Sequence, residues 1–212
     1  MIDANKLLAK HRLVSDQVSI SEVKVIIDQL NKTIENGIAG DVVEFGCYKG
    51  TTSLFLMRVL VEAGEVAKRK LWLYDSFAGL PAKSEADISG LGDEFKEGEL
   101  AATKAEVIHN FVHANLPKPI IKKGWFSDLV EADVPGRIAF AYFDGDYYES
   151  IKDSFRLCGN KLAPGATIVV DDYTNQRLPG VARAVDEWMA DYRNLVQNCT
   201  VTDSLMIIHL VL

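Results

Sequence analysis

Ala139-Phe-Ala-Tyr-Phe-Asp144-Gly-Asp146-Tyr-Tyr-Glu-Ser150, answered by Ile168-Val-Val-Asp171-Asp172-Tyr173, is the part of the chain whose reading decides the fold. Each segment is an apolar run that ends in aspartates. A strand buried on both faces reads as a continuous apolar run, and polar residues return where it emerges at the edge of a parallel sheet. In open α/β sheets the carboxyl edge is where ligands bind. Neighbouring strands lie about 4.8 Å apart, so Asp144 and the pair Asp171–Asp172 are expected to converge on one cation.

The rest of the composition suits one globular α/β domain spanning residues 1–212. The net charge of −7 lacks the basic face a nucleic-acid binder needs. Lys68-Arg69-Lys70 and Lys122-Lys123 read as solvated surface beside strands. Cys47, Cys158 and Cys199 form no C-x-x-C pair and no even set, which points to a reducing compartment and away from a zinc site. No stretch approaches the ~18 apolar residues of a membrane span, and no signal-peptide pattern opens the chain. A soluble cytoplasmic protein without a nucleic-acid or membrane partner is therefore expected.

Outward from the aspartate-tipped runs, strands and helices alternate. Strands are expected at 41–46, 70–75, 119–123, 137–144, 166–171, 195–201 and 204–211, with helices at 51–66, 102–115, 125–131, 147–161 and 179–193. Alternation implies a mostly parallel sheet with right-handed crossovers and helices on both faces. The last two strands are separated only by Thr202-Asp203 and form a hairpin, so one runs antiparallel. Residues 1–38 read as a helical arm, in which Ser19-Ile-Ser-Glu22 is a capping box followed by Val23, Ile26, Ile27, Leu30 and Ile34 at helical spacing. Segment 81–101, polar and carrying Gly90, Gly92 and Gly98, interrupts the repeat at the ligand edge and reads as a lid insertion.

Glu44-Phe-Gly46-Cys-Tyr48-Lys-Gly50 follows the first strand and opens a helix, where glycine lets backbone approach a ligand. A dinucleotide fingerprint requires G-x-G-x-x-G, whereas the spacing here is G-x-x-x-G; a ligand-free tight turn is the plain alternative. Leu71-Trp-Leu-Tyr-Asp75 places a carboxylate at the end of the second strand, 29 residues after Gly46. A carboxylate there accepts the ribose hydroxyls of a nucleoside, in NAD-binding proteins as in others.

With these motifs in order, the chain resembles the macrocin O-methyltransferase (TylF-type) family. The resemblance rests on Glu44-Phe-Gly46-x-x-x-Gly50, Tyr74-Asp75-Ser76-Phe77-x-Gly79-Leu80-Pro81, Lys123-Gly124-Trp125-Phe126, Asp144-Gly-Asp146-Tyr-Tyr-Glu-Ser150 and Val170-Asp171-Asp172-Tyr173, and it covers roughly residues 40–190. It implies a Rossmann-like class I methyltransferase fold of seven strands. It also implies S-adenosylmethionine and a divalent metal as cofactors, and methylation of a sugar hydroxyl. By the resemblance, Glu44, Gly46, Tyr48 and Gly50 surround the methionine part of the cofactor. Asp75 binds the ribose, and Ser76 and Phe77 border the adenine. Trp125 and Phe126, with Ser127, lie against the adenine, although core packing is the other reading of that aromatic pair. Asp144, Asp171 and Asp172 match the metal ligands. The chain is shorter than better-known members, its arm is brief, and 82–118 does not match their lid, so the acceptor does not carry over.

Three hard oxygen donors suit Mg²⁺, with Mn²⁺ or Ca²⁺ as alternatives. Such a cation presents an acceptor oxygen to the methyl donor and lowers the pKa of its hydroxyl, which gives Asp144 a catalytic part. The general base is open among Asp146, Tyr147, His109 and His113, and Asp146 also reads as the N-cap of the following helix. The expected function is O-methylation of a small hydroxylated molecule such as a sugar or polyol. Two rivals stand beside it: a non-catalytic cofactor-binding or scaffold protein, and an NAD-linked or hydroxylase-like enzyme on the same fold. The apolar face of the N-terminal helix needs cover, which leaves a homodimer open.

Overall fold

The computed structural model describes residues 2–92 and 94–211. Two helices open the chain, α1 (Ala4–Lys10) and α2 (Ile20–Glu35). The capping box forms as expected: Ser19 Oγ accepts the Glu22 N–H at 3.2 Å while Glu22 Oε2 accepts the Ser19 N–H at 2.7 Å. Then follow β1 (Asp41–Phe45), α3 (Thr51–Glu62), β2 (Leu71–Asp75), α4 (Lys104–His113), β3 (Ile120–Lys123) and β4 (Ile138–Phe143). The second half comprises α5 (Tyr148–Cys158), β5 (Leu162–Val170), α6 (Pro179–Asp191), β6 (Val196–Thr202) and β7 (Leu205–Leu210).

The seven strands lie in the order β3-β2-β1-β4-β5-β7-β6. The first five pair in parallel, and β7 runs antiparallel to both β5 and β6. This is the Rossmann-like sheet with its C-terminal hairpin. From β1 the chain steps outward through β2 and β3, then returns to place β4 on the other side of β1. The carboxyl ends of β1 and β4 therefore flank the topological switch point, where side chains from both halves meet.

Strand β4 is buried along its whole length, and its side chains alternate between two cores. Ala141 and Phe143 enter the core shared with α5 and α6, where Phe155 and Trp188 stack at 4.4 Å between centroids. Phe140 and Tyr142 enter the opposite core, shared with α2 and α3. The apolar face of α2 (Val23, Ile26, Ile27 and Leu30) is buried in that second core by the chain itself. The uncovered face that left a homodimer open is thus covered internally.

Several boundaries differ from expectation. Helix α3 stops at Glu62 because Ala63 and the left-handed Gly64 cap it. The helix expected at 125–131 is two 3-10 turns, Phe126–Asp128 and Glu131–Asp133. Strand β5 begins earlier than expected, at Leu162. Among the described residues no helix is long and apolar enough to cross a membrane.

Candidate active site

A cleft of about 250 Å³ opens over the switch point. Its floor is the turn after β1. Gly46 and Gly50 adopt φ of +87° and +85°, and Tyr48 is also left-handed at +46°. A side chain on Gly46 would run into the backbone carbonyl of Asp144, so β1 and β4 approach closely only because this residue is glycine. Asp75, at the tip of β2, braces the turn. Its Oδ2 accepts the N–H groups of Cys47 and Tyr48 at 2.9 Å each, and its Oδ1 accepts the Phe77 N–H at 2.7 Å.

Of the residues expected around a nucleoside cofactor, Gly46, Tyr48, Asp75, Ser76, Trp125 and Phe126 line the cleft. Trp125 is 38% exposed there, while Phe126 also packs edge-to-face on Phe45 at 5.3 Å, so this aromatic pair serves cleft and core together. Glu44, Gly50 and Phe77 are not among the lining residues. Phe77 is buried in the second core, and Gly50 is the N-cap of α3. Ser127 is exposed outside the cleft. Glu44 is buried below the turn with Oε2 lacking a hydrogen-bond partner; burial, reinforced by the charge of Asp75, pushes its carboxyl up to about 8.

Opposite the turn, the carboxylates of Asp144, Asp146 and Asp172 converge, with oxygens within 4.8 Å of one another. Asp146 and Asp172 reach this position through left-handed backbone, at φ +61° and +56°. Burial raises the Asp144 carboxyl, and the charges of Asp171, Asp146, Asp172 and Glu44 raise it further. Asp146 is raised by the same causes: burial first, then Asp172, Asp171 and Asp75. Asn175 Nδ2 donates to Asp172 Oδ1 at 2.9 Å. An all-oxygen donor set whose neighbouring charges are themselves carboxylates fits a hard divalent cation.

The convergent set is not the one the resemblance implied, because Asp146 stands where Asp171 was expected. Asp171 Oδ2 accepts the Tyr142 hydroxyl at 2.6 Å, and its Oδ1 accepts Ser204 Oγ at 3.1 Å and the Asp172 N–H at 2.9 Å. Both oxygens already accept protein donors. Burial, helped by the charge of Asp172, pushes this carboxyl up to about 7, and the bond from Tyr142 pulls the other way.

Nor is Asp146 a helix cap. Helix α5 begins at Tyr148, and the Tyr148 N–H donates to Asp87 Oδ1 at 2.7 Å, so the cap comes from the inserted segment. The other candidate bases lie elsewhere. The Tyr147 hydroxyl donates to the Phe95 carbonyl, and His109 and His113 stack on each other at 5.6 Å on the exposed side of α4.

Asp16 and Gln17, from the loop between α1 and α2, line the cleft, as do Leu80, Pro81, Phe95 and Leu100. Leu80 and Pro81 close the 74–81 motif, and Phe95 and Leu100 fall in the expected lid segment 81–101, but Asp16 and Gln17 were not singled out from the sequence. Their spacing carries no period, and only tertiary packing brings them to the carboxyl edge. Asn175 had a signal as a turn residue, since its Oδ1 accepts the Arg177 N–H two residues on at 3.1 Å.

A family profile described as Macrocin-O-methyltransferase (TylF) matches residues 17–208. The chain belongs to this family. Among its relatives is the 8-demethyl-8-(2,3-dimethoxy-alpha-L-rhamnosyl)-tetracenomycin-C 4'-O-methyltransferase of Streptomyces olivaceus, 34% identical over 157 residues, covering 69% of this chain and 59% of that protein. The demethyldecarbamoylnovobiocin O-methyltransferase of Streptomyces niveus is 31% identical over 180 residues, covering 82% of this chain and 68% of its own. The chain thus spans roughly three-fifths to two-thirds of the length of these curated relatives. The solved structure of the O-methyltransferase NovP superimposes with a TM-score of 0.78 at 27% identity, covering 92% of this chain and 81% of that one.

Proposed function

We propose that the protein transfers the methyl group of S-adenosylmethionine to a hydroxyl of a small, sugar-bearing acceptor, assisted by a divalent cation. The observation that carries this reading is the meeting, at one switch point, of a braced glycine turn and a convergent set of three carboxylates. The relatives' names point the same way: one is named for a rhamnosyl-tetracenomycin, another for demethyldecarbamoylnovobiocin.

In this reading the turn from Gly46 to Tyr48 receives the methionine end of the cofactor, Asp75 the ribose, and Trp125 packs on the adenine. Asp144, Asp146 and Asp172 would hold the cation, which lowers the pKa of an acceptor hydroxyl and fixes its direction. Asp146 would also supply the base, with a carboxylate oxygen not engaged by the cation taking the proton that the acceptor hydroxyl gives up. Leu80, Pro81, Phe95 and Leu100 form an apolar wall that excludes water from the reacting oxygen. Asp16 and Gln17 face the same space from the N-terminal arm. The SAM and cation roles of these residues call for neither a 2-His-1-carboxylate set nor a dinucleotide fingerprint.

Calorimetry tests the reading with S-adenosylhomocysteine and Mg²⁺ titrated separately. Asp144→Asn is expected to weaken Mg²⁺ at least about tenfold and to leave S-adenosylhomocysteine binding within about threefold. Mg²⁺ affinity that survives the substitution would sink the cation assignment, and absence of S-adenosylhomocysteine binding to the wild type would sink the cofactor assignment.

A further inference from the structure

Behind the convergent carboxylates runs a line of hydrogen bonds that the proposed chemistry leaves unused. Tyr142, on β4 two residues before Asp144, points to the same face of the strand as that aspartate. Its ring is fully buried, and its hydroxyl lies 2.6 Å from Asp171 Oδ2 and 3.3 Å from Asp144 Oδ2. On the far side of Asp171, Ser204 Oγ lies 3.1 Å from Oδ1 and 2.5 Å from Glu22 Oε1. Glu22 is itself fixed, because its Oε2 accepts the Ser19 N–H at 2.7 Å in the capping box of α2. The line therefore crosses four separate parts of the fold: α2, the β6–β7 turn, the end of β5, and β4.

We infer that Tyr142, Ser204 and Glu22 are positioning residues for the carboxylate site, acting through Asp171 and Asp144. The inference rests on the cation reading proposed above and extends it to residues outside the cleft. Carboxylates of like charge placed side by side rotate apart unless something holds them. Here each hydroxyl, with one proton to give, stands between two carboxylates: Tyr142 at 2.6 Å from Asp171 and 3.3 Å from Asp144, and Ser204 at 2.5 Å from Glu22 and 3.1 Å from Asp171. Groups that hold metal ligands from behind fix their rotamers, and their loss typically costs 10- to 100-fold in metal affinity. A buried polar network that served the fold alone would change stability and leave that affinity where it was. Ser204 and Glu22 each stand far from the site in sequence, so the line makes the geometry of the carboxylates depend on how the N-terminal arm docks.

The test is Mn²⁺ alone, titrated into the full chain and followed by electron paramagnetic resonance. Tyr142→Phe and Ser204→Ala are expected to weaken Mn²⁺ about tenfold or more. Ser204→Thr, which keeps the hydroxyl, is expected to restore affinity to within about threefold of wild type. S-adenosylhomocysteine affinity is expected to stay unchanged in all three. Wild-type Mn²⁺ affinity in both folded Tyr142→Phe and Ser204→Ala overturns the inference while leaving the cation reading intact. Absence of saturable Mn²⁺ binding to the wild type overturns that reading and the inference with it. Should Tyr142→Phe fail to fold, the Ser204→Ala and Ser204→Thr pair, at a half-buried position in the hairpin turn, decides alone.

Discussion

Asp75 supports the cleft before it binds anything. Its two oxygens take three backbone N–H groups, from Cys47, Tyr48 and Phe77, so one carboxylate joins the turn after β1 to the turn after β2. Removing it strands those donors, at about 1–3 kcal/mol for each that stays dry. Asp75→Ala is expected to lower the melting temperature and to abolish S-adenosylhomocysteine binding by calorimetry. Asp75→Asn is expected to behave nearly as badly, since its amide turns a donor toward donors. A variant that melts like wild type and loses only ligand affinity would show that the bracing is dispensable. The position of Asp75 at a strand end was legible in Leu71-Trp-Leu-Tyr-Asp75. Two of its three partners were not, because they come from a loop 27 and 28 residues earlier whose path is set by Gly46. Asp171 and Asp146 teach the same point. The sequence places four aspartates at two strand tips, and which three converge depends on the left-handed backbone of Asp146 and Asp172 and on the hydroxyls that engage Asp171.

At the level of elements, strands were the most legible part, because a buried parallel sheet writes itself as apolar runs closed by polar residues. The hairpin was equally plain, since two residues cannot span a parallel crossover. What misled was short and local. Trp125-Phe126 and the residues after it have the look of a helix, but two separate 3-10 turns satisfy them. Asp146 has the composition of a cap, yet the cap of α5 is Asp87, 61 residues earlier and buried. That contact also defines the inserted segment as a docked element. Ser89 Oγ donates to the Gln176 carbonyl at 3.0 Å, and Glu94 pairs with Arg177, tying the insertion to the loop after β5. Asp87→Ala is expected to destabilise the protein by about 1 kcal/mol, the usual worth of a helix cap. Amide exchange should show the effect concentrated in the first turn of α5 and in segment 81–101. Uniform loss of protection across the sheet instead would mean that the cap is not a local device.

For the whole molecule, the gathered carboxylates make stability depend on pH in an unusual direction. Unfolded carboxyls titrate near about 4, whereas burial pushes Asp171 up to about 7 and Glu44 up to about 8 in the folded chain. Between these limits the folded chain holds protons that the unfolded chain has released, so stability falls as pH rises through the window. It is fully present only below about pH 4. Paired carboxylates such as Glu65, held low by Lys68 and Arg69, act oppositely, but only below the ordinary carboxylate range. His209, lowered by burial and by Lys32, also acts oppositely, up to about pH 6.5. The unmixed window is therefore about pH 6.5 to 8. In EDTA the melting temperature is expected to fall across it, and Glu44→Gln should flatten the part that Glu44 contributes. A divalent cation replaces the missing protons among the carboxylates and competes with them below the window. Mg²⁺ is thus expected to raise the melting temperature more near pH 8 than near pH 6.5. Melting curves at the two ends of the window, each with EDTA and with Mg²⁺, read both effects together. A melting temperature that climbs toward pH 8 in EDTA would mean that the aspartates are already ionised at little cost, and the strain that a cation is proposed to relieve would not exist.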